Sequence, residues 1–288
     1  AHFSVRGADI CLSAGIPFIQ TVHNSYVWLD PLQIEKYRLA DQYTTQYICV
    51  SMTAARYADV VLGLDVSKMR VVPNGIDPDA IDSTNFEVNR TSLRCTWGVE
   101  DAAPVYLNVA SIMATKAQLP LVKAFAQIVE SIPRARLVLL GAVMEAPYQS
   151  VIEKAVQELG LQKHVIFAGY DRQVSRYYHA ADVFVLPSYW EGWSLSLGEA
   201  MANGLSCVIT DVGSAYEFEC FDNVEIVEPP FGDIALLNFR NFGDFVYGED
   251  KAFQNRLAES MIKMSRIRRA PVDISLAKQL SRDISYLT

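Results

Sequence analysis

The sequence predicts an α/β protein built on doubly wound parallel sheets, and three observations carry that expectation. Short apolar runs alternate with helical patterns along nearly the whole chain. Several runs end on small or turn-forming residues, namely Ala110, Gly141, Gly169, Pro187 and Asp211, as strands do where a parallel sheet meets its ligand. With 288 residues, 51% hydrophobic and 20% charged, the chain has apolar material for two domains of ordinary size.

In the first part the expected strands are Pro17–Val22, Tyr47–Ser51 and Met69–Val72, with helices over Pro31–Tyr43 and Met52–Leu62. Ala1 already lies inside a helical pattern. Pro73-Asn74-Gly75 breaks the series with strong turn chemistry. Residues 82–103 are more polar, hold no sustained period, and read as a linker with one short helix. A second series then runs as strand Val105–Ala110, helix Leu119–Ile132, strand Arg136–Leu140, helix Tyr148–Leu159, strand Val165–Ala168 and helix Val174–Ala180. Strands Val183–Leu186, Cys207–Thr210 and Val224–Val227 complete it. Asp250–Arg269 and Asp273–Leu287 read as terminal helices. The expected organisation is a partial first domain over 1–81, a linker over 82–103, a second doubly wound domain over 104–248, and helices over 249–288 that pack back on the first domain.

Charge and composition exclude several functions. The net charge of −8 argues against a nucleic-acid partner, which requires a basic face. The five cysteines are odd in number, widely spaced and form no C-x-x-C pair, so neither a zinc site nor a disulfide framework is indicated. The four histidines show no metal-ligand spacing. No apolar run approaches the roughly 18–20 residues of a membrane span, and no signal peptide is visible. The cytoplasm is the expected location. Lys263, Arg266, Arg268 and Arg269, interleaved with Met261, Ile262, Met264 and Ile267, suggest a weak peripheral contact with the inner face of a membrane, although a solvated helix face accounts for the same pattern.

The most informative segment is Leu186-Pro-Ser-Tyr-Trp-Glu-Gly-Trp-Ser-Leu-Ser-Leu-Gly-Glu-Ala-Met-Ala-Asn-Gly204. An apolar run enters it, a turn of small residues follows, and Ser194–Asn203 reads as a helix. A helix N-terminus after a strand presents free N–H groups and a positive dipole end to one point, which suits phosphate. Glu191 and Glu199 flank that point and suit sugar hydroxyls. Backbone-held phosphate with carboxylate-held hydroxyls indicates a nucleotide-sugar. Gly192-Trp193-Ser194-Leu195-Ser196 also approaches a hydrolase nucleophile elbow. It lacks the last glycine, and the last histidine, His179, precedes the serine, so a triad fails on chain order.

With these residues in view the chain resembles the retaining GT-B glycosyltransferases of family 4, the group 1 glycosyltransferases. The strongest part is Val165–Gly213, "VIFAGYDRQVSRYYHAADVFVLPSYWEGWSLSLGEAMANGLSCVITDVG". "PFIQTVHNSY", "YICVS", "VVPNGID" and "KAFAQIVESIPRARLVLLG" support it in order and spacing. The resemblance implies two Rossmann-like domains, donor-binding at the C-terminal side and acceptor-binding at the N-terminal side, the latter here incomplete, as a truncation leaves it. It implies that Glu191 orients the donor sugar and Glu199 the ribose. The N–H groups of Trp193, Ser194, Leu195 and Ser196 are to face the diphosphate, with Ser194 in place of the usual glycine. Lys116 matches the phosphate-binding lysine. The usual glycine-arginine pair falls on Ala110-Ser111, and the glycine after the lysine is Ala117, so one of two cations is replaced by a neutral hydroxyl. Tyr170 falls where the backbone meets the base, and His23 lies near sugar and acceptor. Asn74 and Gly75 match a structural turn, and Glu217 matches a glutamate of unassigned role. The implied reaction moves a sugar from a UDP- or GDP-sugar to a sugar or lipid-linked acceptor, with no cofactor and no catalytic metal, in cell-surface polysaccharide or glycolipid synthesis. Two alternatives stand beside it: a nucleotide-sugar-binding module without turnover, and a GT-B sugar-nucleotide epimerase.

Overall fold

The computed structural model describes residues 5–81, 84–100 and 102–282. Helix α1 (Ala8–Ser13) leads into β1 (Ile19–Val22); α2 (Pro31–Asp41) crosses to β2 (Gln46–Cys49), and α3 (Met52–Val60) crosses to β3 (Met69–Val71). The three strands pair in parallel in the order β1-β2-β3. Local chemistry sets the helix starts. The Asp30 carboxylate accepts the Gln33 N–H while the Gln33 side chain accepts the Asp30 N–H, a reciprocal cap with Pro31 at the first helical position. Ser51 Oγ accepts the Ala54 N–H at the head of α3.

The stretch read as a linker carries an eleven-residue helix, α4 (Phe86–Thr96), packed on a later helix of the second unit. Its polarity misled because Arg94 is charged yet buried. The Arg94 guanidinium donates to the carbonyls of Ala180, Glu100 and Ala103 and to Asp182 Oδ2 at 3.1 Å, so the charge is satisfied inside the protein.

The second sheet follows through β4 (Val105–Val109), α5 (Gln118–Ser131), β5 (Arg136–Leu140), α6 (Ala146–Glu158), β6 (Val165–Gly169), α7 (Ser175–Ala180), β7 (Val183–Leu186), α8 (Leu195–Ala202), β8 (Ser206–Thr210), α9 (Ala215–Phe218) and β9 (Val224–Val227). All pairings are parallel, and the order is β6-β5-β4-β7-β8-β9, two wound halves that meet between β4 and β7. Strands β7 and β8 are buried along their whole length, which is why they read as unbroken apolar runs rather than alternating ones.

Beyond the sheet come α10 (Phe242–Val246), α11 (Lys251–Ser265) and α12 (Ile274–Arg282). Helix α11 buries Phe253, Leu257, Met261 and Met264, lying on α5 and β8. Helix α12 rests on α8 and on the turn at Pro78–Ala80; the expected extension to Leu287 lies outside the described residues. Of the residues in the basic stretch, Arg266, Ile267 and Arg268 stay exposed and the others are engaged within the protein. Met261 and Met264 are spent on the core, Lys263 pairs with Glu225 at 2.7 Å, and Arg269 turns inward onto main-chain carbonyls.

Candidate functional site

A doubly wound sheet opens a crevice at the carboxyl ends of its strands where the order reverses. Here that place lies between the segment after β4, Ala110–Lys116, and the segment after β7, Pro187–Ser194. Buried amides fasten the two together. Asn108 Nδ2 donates to the Val185 carbonyl at 2.8 Å, and Gln118 Nε2 donates to the Ser111 carbonyl at 2.9 Å and reaches Asn108 Oδ1 at 3.4 Å. A Cβ on Gly141 would sit 1.9 Å from the Ala110 carbonyl oxygen, so only glycine lets the end of β5 pass this close.

Lys116 and Glu191 meet across these two segments. Lys116 Nζ lies 2.6 Å from Glu191 Oε1, and Ser188 Oγ donates to the same oxygen at 2.7 Å. Glu191 Oε2 has no protein partner among the described residues. The lysine is aimed by an unusual turn: Ala117 adopts φ 53°, the one positive φ outside glycine among the described residues. A left-handed alanine costs about 1–2 kcal/mol, which explains why glycine is usual at that place in the resembling family. Ser111 is half-buried and follows β4 directly.

Ser194 caps α8. Its Oγ accepts the Leu197 N–H at 3.3 Å, and its own N–H donates to Ser214 Oγ at 3.3 Å. Of the four turn residues expected to offer N–H groups to a diphosphate, Ser194 therefore spends its own inside the protein. Leu195 and Ser196 open the helix and have no intrahelical acceptor for theirs. Trp193 anchors the loop instead of lining the crevice: its ring is buried 5.6 Å from Phe218 and lies over Gly198.

One turn further along α8, Glu199 Oε2 accepts a hydrogen bond from the Tyr178 hydroxyl at 2.8 Å, and that hydroxyl also reaches the Ser196 carbonyl at 3.2 Å. Burial raises the Glu199 pKa above its ordinary value, with the Tyr178 hydroxyl opposing the rise. Burial and the neighbouring carboxylate hold the Tyr178 phenol well above its own.

The first sheet closes the other side. The His23 carbonyl oxygen comes within 1.7 Å of where a Cβ on Gly192 would stand, so the end of β1 rests on the Glu191 loop. The His23 N–H donates to the Tyr26 hydroxyl at 3.2 Å. Glu217 Oε1 accepts the Met52 N–H at 2.7 Å, capping α3 across the two sheets, and its pKa is raised by burial. Arg56 grips Asp233 with two hydrogen bonds nearby. Tyr170 follows β6 with an exposed side chain, beyond Gly169 at φ +70°. The turn at Asn74-Gly75 is half-buried and lies between β3 and the Pro78–Ala80 turn.

The structure thus brings Lys116 and Glu191 into contact, joins Ser196 and Glu199 through the Tyr178 hydroxyl, sets the His23 carbonyl against Gly192, and leaves the Tyr170 side chain in solvent. Sequence reasoning missed Ser188, Tyr178, Gln118 and Ser214. Ser188 was findable, three residues before Glu191 in the same motif; Tyr178 sits in a helix with no local pattern to mark it. Among the described residues no three His, Cys, Asp or Glu side chains are placed to hold a metal ion. Among the described residues no helix is long and apolar enough to cross a membrane.

Comparison with known proteins agrees with this arrangement. The family described as "Glycosyl transferases group 1" matches residues 89–233, and "Glycosyltransferase Family 4" matches residues 1–80. The chain is 26% identical over 217 residues to the UDP-Gal:alpha-D-GlcNAc-diphosphoundecaprenol alpha-1,3-galactosyltransferase of Escherichia coli, covering 69% of this chain and 53% of that protein. It is 26% identical over 254 residues to the mannosylfructose-phosphate synthase of Agrobacterium fabrum, covering 79% and 55%. The chain spans about half the length of these curated relatives. Among solved structures, Anabaena HepE in complex with UDP superposes with a TM-score of 0.69 at 20% identity, over 98% of this chain and 76% of that one. That likeness is one of fold.

Proposed function

This chain belongs to the glycosyl transferases group 1 family, and on that premise we propose that it is a retaining glycosyltransferase that moves a sugar from a nucleoside diphosphate sugar to a sugar or lipid-linked acceptor. One observation carries the reading: Lys116, from the segment after β4, meets Glu191, from the segment after β7, just ahead of the helix start at Ser194 that leads on to Glu199. In it the second sheet is the donor side, residues 104–248, and the first sheet, within 1–81, the acceptor side.

The chemistry follows from the positions. Departure of the nucleoside diphosphate puts negative charge on the β-phosphate. Lys116 and the N–H groups of Leu195 and Ser196 are fixed in advance where that charge appears. Glu191, through its unpartnered Oε2, orients the donor sugar, and Glu199, through the oxygen not held by Tyr178, accepts from the ribose hydroxyls. The acceptor hydroxyl attacks from the face the diphosphate leaves, which retains configuration without a protein nucleophile, and Lys116 does the work a metal would otherwise do. His23, on the Glu191 loop, stands on the acceptor side. HepE was solved with UDP and with UDP-glucose, which favours a uridine nucleotide. The Escherichia coli relative acts on a diphosphoundecaprenol-linked sugar by name, which favours glycolipid or cell-surface polysaccharide synthesis at the cytoplasmic face of a membrane.

A second reading, a nucleotide-sugar-binding module without turnover, draws on a specific observation. Ser111 replaces one cation, and the remaining one is already paired with Glu191. Calorimetry with UDP and GDP, followed by assay of sugar release from UDP- and GDP-sugars, separates the two. Binding with release that Glu191→Ala abolishes supports the enzyme; binding with no release in the complete protein supports the module.

A further inference from the structure

A cavity of about 760 Å³ lies away from the donor crevice, lined by Phe86 and Arg90 of α4 and by residues 268–272 between α11 and α12. It sits at the amino ends of β7 and β8, beside Asp182 and Gly204, whereas the donor loop leaves the carboxyl end of β7. The segment 268–272 is pinned there: the Ala270 N–H donates to the Gly204 carbonyl at 3.0 Å, and Arg269 donates to the carbonyls of His179 at 3.1 Å and Asn203 at 2.6 Å, as well as to those of Tyr178 and Ala181.

Charge does not balance in this place. Arg90 and Arg94 share the two oxygens of Asp182, at 2.7 and 3.1 Å. Among the described residues no carboxylate lies within ion-pair distance of Arg269, whose Nε is buried without an acceptor and whose guanidinium lies 4.7 Å from the Phe86 ring centre. Arg268 is exposed at the mouth and has no ion-pair partner among the described residues. Exposed Glu87 offsets only part of the excess. Burial, then the neighbouring Arg90 and Arg94, push the Arg269 pKa down to about 9. The first cause is the burial of the guanidinium; Arg90 and Arg94 add to it, and Asp182 and Glu87 oppose it.

We propose that this cavity is a binding site for a phosphate monoester, with the phosphate taken by Arg268 and the ester group laid on Phe86, Pro271 and Val272. The Arg268 fork matches phosphate oxygens two at a time, while Arg90, whose Nη1 holds the carbonyls of His179 and Ala181 and whose Nη2 holds Asp182, adds to the positive field and not to the fork; the excess charge suits a dianion. The apolar wall distinguishes an ester from bare phosphate. Helix α4 follows the chain's exit from the first sheet and residues 268–272 lead toward α12, so one ligand touches both connections. The ligand is either a soluble phosphate ester or the headgroup of a phosphomonoester lipid; the chemistry is the same.

The test is calorimetric titration of the full chain carrying Lys116→Ala, which removes the donor-site phosphate contact, with phenyl phosphate and with inorganic phosphate. A parallel flotation assay uses phosphatidylcholine vesicles with and without phosphatidic acid. Phenyl phosphate is expected to bind one-to-one, more tightly than inorganic phosphate, and Arg268→Ala, an exposed position that leaves thermal unfolding unchanged, is expected to weaken it about tenfold. Flotation on phosphatidic acid that Arg268→Ala abolishes, without binding of the soluble probes, supports the site and assigns the ligand to lipid. Absence of both phenyl phosphate binding and flotation on phosphatidic acid, or binding and flotation indifferent to Arg268→Ala, overturns the proposal.

Discussion

Lys116 Nζ lies 2.6 Å from Glu191 Oε1, so the cation that is to meet the diphosphate is held by the acid that is to meet the sugar. The pair is mostly buried, with 23% and 13% of the side chains exposed, and Ser188 steadies the acid. The consequence is a pair of effects of opposite sign. Glu191→Gln releases the lysine and is expected to tighten UDP binding several-fold while lowering sugar transfer by about a hundredfold or more, as loss of a positioning group does. Calorimetry with UDP and single-turnover assay of transfer check both. A variant that loses both together contradicts the competition between acid and phosphate for Lys116.

Ser111 stands where the resembling family usually has arginine, directly after β4 and with its carbonyl bound by Gln118. Ser111→Arg restores a second cation at the mouth of the crevice. A charge-assisted contact contributes about 1.5–3 kcal/mol, so UDP affinity is expected to rise at least tenfold. The rise should shrink with added salt. Unchanged affinity places the diphosphate elsewhere.

Much of this site was legible in the sequence because its parts are consecutive. Strand β7, the turn and α8 follow each other along one segment, with Glu191 in the turn and Glu199, eight positions later, in the helix. The parallel sheet was legible for a related reason: strands buried on both faces, such as β8 over Ser206–Thr210, leave a plain apolar run. What stayed hidden depends on partners distant in the chain. Tyr178, the partner of Glu199, comes from α7, and Ser214, which takes the Ser194 N–H, from the far side of β8. Helix α4, the short helix expected within the linker, gives no sign in the sequence of its packing, because its polar residues look solvated; Arg94 is buried only because Asp182, 88 residues later, and three carbonyls receive it. The Trp193 ring went to the core for a reason no spacing shows, the bare surface of Gly198 beneath it.

Glu199 titrates above its ordinary 4.5 because it is buried, and so does Glu217. The sign follows from which state holds the proton. Between pH 4.5 and the raised folded value, the native chain keeps a proton that the unfolded chain has lost, so stability falls as pH rises through that window and stays lower above it. Glu199→Gln keeps an oxygen for the Tyr178 hydroxyl but carries no charge. It is expected to flatten its share of that fall and to raise the melting temperature at pH 7 above the parent's. Nucleotide affinity should drop about tenfold as the ribose loses a charged acceptor. Thermal unfolding from pH 4 to 8, with calorimetry on the same samples, reads both, and a variant less stable at pH 7 than its parent refutes the argument.

Gly192 brings the end of β1 against the loop that carries Glu191. A Cβ there would stand 1.7 Å from the His23 carbonyl oxygen and 3.3 Å from Val50 Cγ2, and the first contact is with main chain that no rotamer change relieves. The β1 end must therefore retreat from the Glu191 loop in Gly192→Ala. The donor crevice, built from β4, β7 and α8, does not depend on that contact. Nucleotide binding is expected to stay within about threefold of the parent, since Lys116 and Glu199 keep their places. Transfer is expected to fall about a hundredfold, the effect of roughly 1 Å of misplacement between reacting groups. Small-angle X-ray scattering should show a larger radius of gyration, because the end of β1 no longer rests on the Glu191 loop and more of the join falls to the Glu217 and Arg56 contacts. Adding Glu217→Ala should widen it further. Full transfer by Gly192→Ala would show that the first sheet does not need to rest on the Glu191 loop, and would remove His23 from the acceptor side of the site.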